Sequence, residues 1–242
     1  MIRPGRRTLT FSAHAADFCT RAGGTLMRLA QTDGQVKFID LTYGERCEAP
    51  ALWARDDKPD IDEIKDIRRR EMESAAAIMG IEIECFDLDD CPLILGPERR
   101  LQIMDAMRAY QPDLVLTHWV DDHLHPDHVE TTQAVLWACC YCQVPGVETA
   151  HPPCSVKPEL VCYEAQLGSS PQTKFLPEFF VDVTEVFERK MEAMRCFQAQ
   201  YDPSEGYEIL GRYRALEAQL TANMAGCRYA EGFCRIGTGA VR

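Results

Sequence analysis

The stretch Thr8-Leu9-Thr10-Phe11-Ser12-Ala13-His14-Ala15-Ala16-Asp17 decides the fold. Thr8 to Ser12 reads as a short buried strand, and Phe18 to Gln31 carries helical spacing with Leu26, Leu29 and Ala30 on one side. A strand, a short turn and a helix form the opening of an α/β unit. Working outward, Val36 to Thr42 reads as a second strand, and Ile61 to Met79 as a helix ended by Gly80. Ile81 to Leu88 is a third strand, Glu98 to Tyr110 a helix, Leu114 to Thr117 a short apolar strand and Asp127 to Cys142 the next helix. Parallel neighbours require crossover helices, so this alternation predicts an α/β fold with a Rossmann-like, mostly parallel sheet and helices on both faces.

Beyond Pro145 the pattern loosens. Glu159 to Tyr163 and Phe179 to Val183 read as strands, and Glu185 to Gln200 and Tyr207 to Asn223 as helices. There is no repeat or low-complexity tract. The expected organisation is one domain, with residues 1–145 as an α/β core and 146–242 as a C-terminal strand and helix extension.

Composition narrows the function classes. Acidic residues outnumber basic ones 38 to 26, for a formal net charge of -12. Such a field repels phosphate backbones and anionic membranes, so neither nucleic acid nor a membrane is an expected partner. A small anionic substrate would need a local basic pocket. The 46% of hydrophobic and 26% of charged residues fit a globular chain, which excludes disorder. No apolar run approaches the ~18 residues that span a bilayer. Met1 to Arg7 is basic, but Thr8 to Ala15 is no apolar signal core. The expected location is therefore cytoplasmic, with the twelve cysteines as reduced, mostly buried thiols. Cys139 and Cys142 have C-x-x-C spacing, yet lie in an apolar helical stretch without a second pair, and read as core rather than as a zinc or redox site.

The chemistry gathers in two loops. Four of the six histidines, His118, His123, His125 and His128, fall in one loop that also holds Asp121, Asp122 and Asp127. His14 and Asp17 follow the first strand. In an open parallel sheet, ligands sit beyond the carboxyl ends of the strands, where both loops lie, so the two can meet. Two imidazoles and one carboxylate would hold a zinc ion and leave a position open for water. His14, Asp17 and His128 are the ligands so chosen, with a helix N-cap as the competing role for Asp17.

His14-Ala15-Ala16-Asp17 with Gly23-Gly24 resembles the first motif of the zinc-dependent LmbE/PIG-L deacetylase superfamily, and His125-Pro126-Asp127-His128 resembles its second. Thr42 to Arg46, Arg68 to Glu71 and Arg228 to Phe233 extend the resemblance along nearly the whole chain. It implies the same Zn2+ ligands: His14, Asp17 and His128. The deacetylase general base falls at Ala16, and a methyl group accepts no proton, which removes a contribution of roughly 10²- to 10⁴-fold. Ala13 to Phe18, Arg21 to Gly24, and Gly44-Glu45-Arg46 with Leu52-Trp53 are similar to the family's 4-oxalomesaconate hydratase branch of aromatic catabolism, which also lacks that base. Where the branch carries aromatic-Glu-Pro-His, this chain has Tyr163-Glu164-Ala165-Gln166.

The resemblance implies a zinc-dependent hydratase acting on an unsaturated keto or enol polycarboxylate. Glu45 is expected to be its acid/base and His125 a second proton-transfer or oxyanion group, and His151 or His125 is expected to fill the role of the histidine that Gln166 replaces. Arg46, Arg68 and Arg21 are the candidates to grip substrate carboxylates bidentately. Two alternatives are an N-acetyl sugar deacetylase and a non-catalytic protein that keeps the zinc pocket. Homo-oligomers are common among similar proteins, and no sequence feature counts subunits.

Overall fold

The computed structural model describes residue 3 and residues 5–237; Met1, Ile2 and Pro4 of the basic N-terminal stretch lie outside the described residues. Among the described residues, seven strands form one sheet: β1 (Arg7–Ser12), β2 (Gln35–Thr42), β3 (Glu82–Leu88), β4 (Leu114–Thr117), β5 (Glu159–Tyr163), β6 (Phe179–Asp182) and β7 (Ala230–Ile236), in the order β3-β2-β1-β4-β5-β7-β6. β1 to β5 run parallel, and β7 is antiparallel to both β5 and β6. The strand order reverses between β2-β1 and β4-β5. This places a crevice beyond the carboxyl ends of β1 and β4, where the two histidine-bearing loops begin.

The helices are α1 (Asp17–Ala30), α2 (Pro50–Trp53), α3 (Ile61–Met79), α4 (Pro97–Tyr110), α5 (Pro126–Tyr141), α6 (Ser170–Thr173), α7 (Phe187–Met194) and α8 (Ser204–Thr221). Side chains alternate along the strands, so each strand feeds two cores. Leu114 and Leu116 join Phe18, Leu26, Met72 and Phe187 under α1, α3 and α7, while Val115 joins Leu9, Phe11, Ile103 and Val135 under α4 and α5. None of the described helices is long and apolar enough to cross a membrane.

Helix α3 has the bounds its sequence signals predict. The Asp60 side chain accepts a hydrogen bond from the Glu63 N–H, and Gly80 closes the helix at φ 71°, a left-handed position that glycine adopts without steric cost. The Gly23-Gly24 pair has a packing reason: a Cβ on Gly24 would lie 2.7 Å from Val183. Its N–H and that of Thr25 donate to Glu231 at 2.9 and 2.8 Å, which ties α1 to β7.

Two expectations need correction. Residues 230–236 form a strand inserted between β5 and β6, where the sequence showed only a familiar motif. Helix α7 ends at Met194 rather than near Gln200, because tertiary partners capture the backbone of the next turn: the Ala199 N–H donates to Glu71 at 2.7 Å and its carbonyl accepts from Ala51 at 3.0 Å. Helical spacing in a sequence does not register such long-range captures.

Candidate metal centre and active site

His14 and Asp17 leave the end of β1, and His118, Asp122, His125 and His128 leave the end of β4; all but the half-buried His125 are buried. Asp17 is the first residue of α1, not its N-cap. Ala16 holds the cap position without a side-chain hydrogen bond, and the Asp17 carboxylate instead accepts from the His14 N–H at 2.9 Å and Arg21 at 3.1 Å. Its Oδ2 lies 3.3 Å from His14 Nδ1 and 3.5 Å from His128 Nε2. Zinc bonds of 2.0–2.1 Å in a tetrahedron put neighbouring ligand atoms about 3.4 Å apart, so these separations fit.

The outer partners fix which nitrogen faces inward. His128 Nδ1 is 2.8 Å from Asp122, and His14 Nε2 is 3.3 Å from Asp127, so each ring gives its N–H to a carboxylate. His128 Nε2 and His14 Nδ1 are left buried without a hydrogen-bond partner, as metal ligands oriented by an outer carboxylate would be. Asp127 is itself held by the Cys91 and Leu93 N–H groups at 2.9 and 3.0 Å. His118 also approaches Asp17, at 3.5 Å, but its Nε2 accepts the Ala13 N–H at 2.9 Å. That bond occupies the lone pair a metal would need. His125, His128 and His118 stack as a column, with ring centroids 3.8 and 3.9 Å apart.

Electrostatics separate the groups. Burial alone would raise the Asp17 carboxyl, but Arg21, His118 and His14 outweigh it and hold it far below the usual carboxylate range. Burial would also lower His14, but Glu48, Asp127 and Asp17 raise it well above an ordinary histidine. Burial, reinforced by the His14 charge, lowers His125 to about 4.

The second strand supplies a glutamate that the sequence reading passed over. Gly44 turns the chain at φ 69°, and the Glu48 N–H bonds the Gly44 carbonyl at 2.9 Å, which folds Glu48 back toward the imidazoles. A Cβ on Gly44 would lie 3.0 Å from Glu48 Cβ and 3.2 Å from His14 Cβ, so the close approach depends on glycine. Glu48 Oε1 is 3.7 Å from His14 Nδ1, and Glu48, His14, His125 and His128 offer ligand atoms within 4.8 Å of one another. Glu45 is buried but points elsewhere, to Arg46 at 2.9 Å and Lys65 at 3.8 Å. The glycine four residues before Glu48 was the available sequence signal.

A cavity of about 280 Å³ opens beside these groups, lined in part by Ala16, Arg21, Glu48, His125, Gln166 and Tyr201. Of the three predicted arginines, only Arg21 lines it, bonded to Asp17 and to the Gln166 side chain. Arg68 is fully buried, donating to the Tyr43 carbonyl and Glu71, both at 3.0 Å, and to Glu48 at 3.4 Å. Arg46 is exposed and spent on Glu45, Asp89 and Asp90. His151 pairs with Asp105 at 3.1 Å beside α4, and His123 is exposed; neither lines the cavity. Cys139 and Cys142 are buried in the core under α4 and α5.

A family model described as GlcNAc-PI de-N-acetylase, PIG-L, matches residues 9–139, more than half of the chain. The chain belongs to the PIG-L family. It is 29% identical over 235 residues to a 4-oxalmesaconate hydratase of Pseudomonas putida, covering 96% of this chain and 90% of that protein. The crystal structure of GalB, a 4-carboxy-2-hydroxymuconate hydratase from Pseudomonas putida, superposes with a TM-score of 0.90 at 28% identity, covering 98% of each chain. A diacetylchitobiose deacetylase of Thermococcus kodakarensis is 26% identical over 230 residues, covering 94% of this chain and 82% of that one. The PIG-L match spans both loops that build the histidine and carboxylate cluster.

Proposed function

We propose that this PIG-L protein is a zinc-dependent hydratase, adding water to a carbon–carbon double bond conjugated to a carbonyl in a small, carboxylate-bearing organic acid. One observation carries the reading: Ala16, where the resemblance puts the deacetylase base, brings only a methyl group to the cavity, and Glu48 of a different loop brings a carboxylate 3.7 Å from His14 Nδ1. The Pseudomonas putida hydratase, similar to this chain in sequence and in its crystal structure, supports it.

His14 Nδ1, Asp17 and His128 Nε2 are the residues that would hold zinc. When bound, zinc supplies Lewis-acid stabilisation for the negative charge that builds on the carbonyl oxygen during hydration. Glu48 is the base in place of Glu45. Burial, reinforced by the Asp17 charge, raises its carboxyl above the ordinary glutamate range, which suits a group that must take up a proton. It accepts a proton from water as the oxygen adds to one carbon, and that proton is available for the other. His125, neutral at pH 7, presents a ring N–H to the developing oxyanion. Arg21, the cation that lines the cavity, grips a substrate carboxylate.

The retained His125-Pro126-Asp127-His128 motif favours a second reading, deacetylation of an N-acetyl sugar. Zinc-loaded protein incubated with 4-oxalomesaconate should bleach the conjugated chromophore. Unchanged absorbance where an authentic hydratase consumes the substrate defeats the hydratase, and acetate release from N-acetyl sugars would then install the second reading. Glu48→Gln should lower kcat by roughly 10²- to 10⁴-fold, against a few-fold at most for Glu45→Gln.

A further inference from the structure

We propose that Gln200 is a positioning residue that fixes the Glu48 carboxylate and so makes the segment after α7 part of the catalytic apparatus; this rests on Glu48 as the base. Gln200 Nε2 donates to Glu48 Oε2 at 2.6 Å, and Arg68 reaches the same oxygen at 3.4 Å. With Oε2 held from two directions, Oε1 is the oxygen left 3.7 Å from His14 Nδ1. The carboxylate then cannot rotate without breaking a hydrogen bond to a charged acceptor, a bond stronger than a neutral one.

The segment is anchored for this task. Ala199 is buried, its N–H donates to Glu71 at 2.7 Å, and its carbonyl accepts from Ala51 at 3.0 Å, so the residue before Gln200 is held at both of its backbone polar groups. Arg68 bonds Glu71 and Glu48 alike, which joins the anchor and the carboxylate in one network. The next residue, Tyr201, is 71% exposed and lines the same cavity, so a ligand that touches it acts on the segment that steers the base.

The test is a double-mutant cycle with Gln200→Met, of similar length but without the donor, and Glu48→Gln, assayed with 4-oxalomesaconate on zinc-loaded full-length protein. Gln200→Met should lower kcat about tenfold, the worth of one hydrogen bond to a charged group, with KM, zinc content and melting temperature unchanged. Added to Glu48→Gln it should cost nothing more, since the oriented carboxylate is already gone. A crystal structure of the metal-free Gln200→Met protein should show the Glu48 carboxylate displaced. An unchanged kcat in Gln200→Met, or the same tenfold loss on the Glu48→Gln background, overturns the proposal while leaving Glu48 as base. Full activity in Glu48→Gln instead overturns the base and this inference together. Should Gln200→Met fail to fold, Gln200→Asn, which keeps the amide but shortens its reach, must show the same kcat loss.

Discussion

Two clusters of buried charge touch α1 and solve the same problem in opposite ways. At the β6-β7 edge, Glu231 accepts from Lys190 at 2.8 Å, from Gly24 at 2.9 Å and from Thr25 at 2.8 Å, so both its oxygens are bonded. At the β1-β4 crevice, the inward nitrogens of His14 and His128 have no hydrogen-bond partner, although Asp17 lies beside them. Burying a polar group without a partner is costly, so a saturated cluster is a staple and an unsaturated one is a place prepared for something else. The difference separates structure from function more sharply than burial does, since Glu231, His14 and His128 are all buried.

Substitutions should divide along the same line. The largest effect on free energy is expected at the staple: Glu231→Leu leaves the Lys190 ammonium buried and unpaired, at a cost of about 3–5 kcal/mol. A drop of roughly 10 °C in melting temperature should follow in a chain of this size, with zinc retention per folded chain intact. A drop under about 2 °C would show that Glu231 is no staple. His128→Gln should do the reverse, abolishing zinc retention in elemental analysis while the metal-free protein melts within about 3 °C of the parent. Retention of a full equivalent of zinc would remove His128 from the ligand set. Asp122→Asn sharpens the contrast at smaller amplitude: loss of the carboxylate behind His128 should weaken zinc affinity by about 10- to 100-fold, measured by chelator competition.

How much of this was legible in advance depended on the range of the interactions involved. Strand and helix alternation is written in local periodicity, and α3 carries its own cap and stop in Asp60 and Gly80. The nearness of His14, Asp17 and His128 followed from topology, because β1 and β4 are neighbours at the point where strand order reverses. β7 escaped because an antiparallel strand inserted from the chain's end has no local mark of its partners. Glu45 and Glu48 share one loop, and only the backbone path from Gly44 decides which carboxylate turns inward.

By itself, then, the sequence determined the α/β framework, the residue types at the ends of β1 and β4, and the missing carboxylate at Ala16. Tertiary structure alone decided that Glu48 faces the imidazoles, that Arg68 is consumed in holding it, and that Gln200 arrives from 152 positions away. The physical reason is directional: periodicity fixes which face of an element is buried, whereas a carboxylate's orientation is set by donors that only the folded chain brings within 3 Å or so.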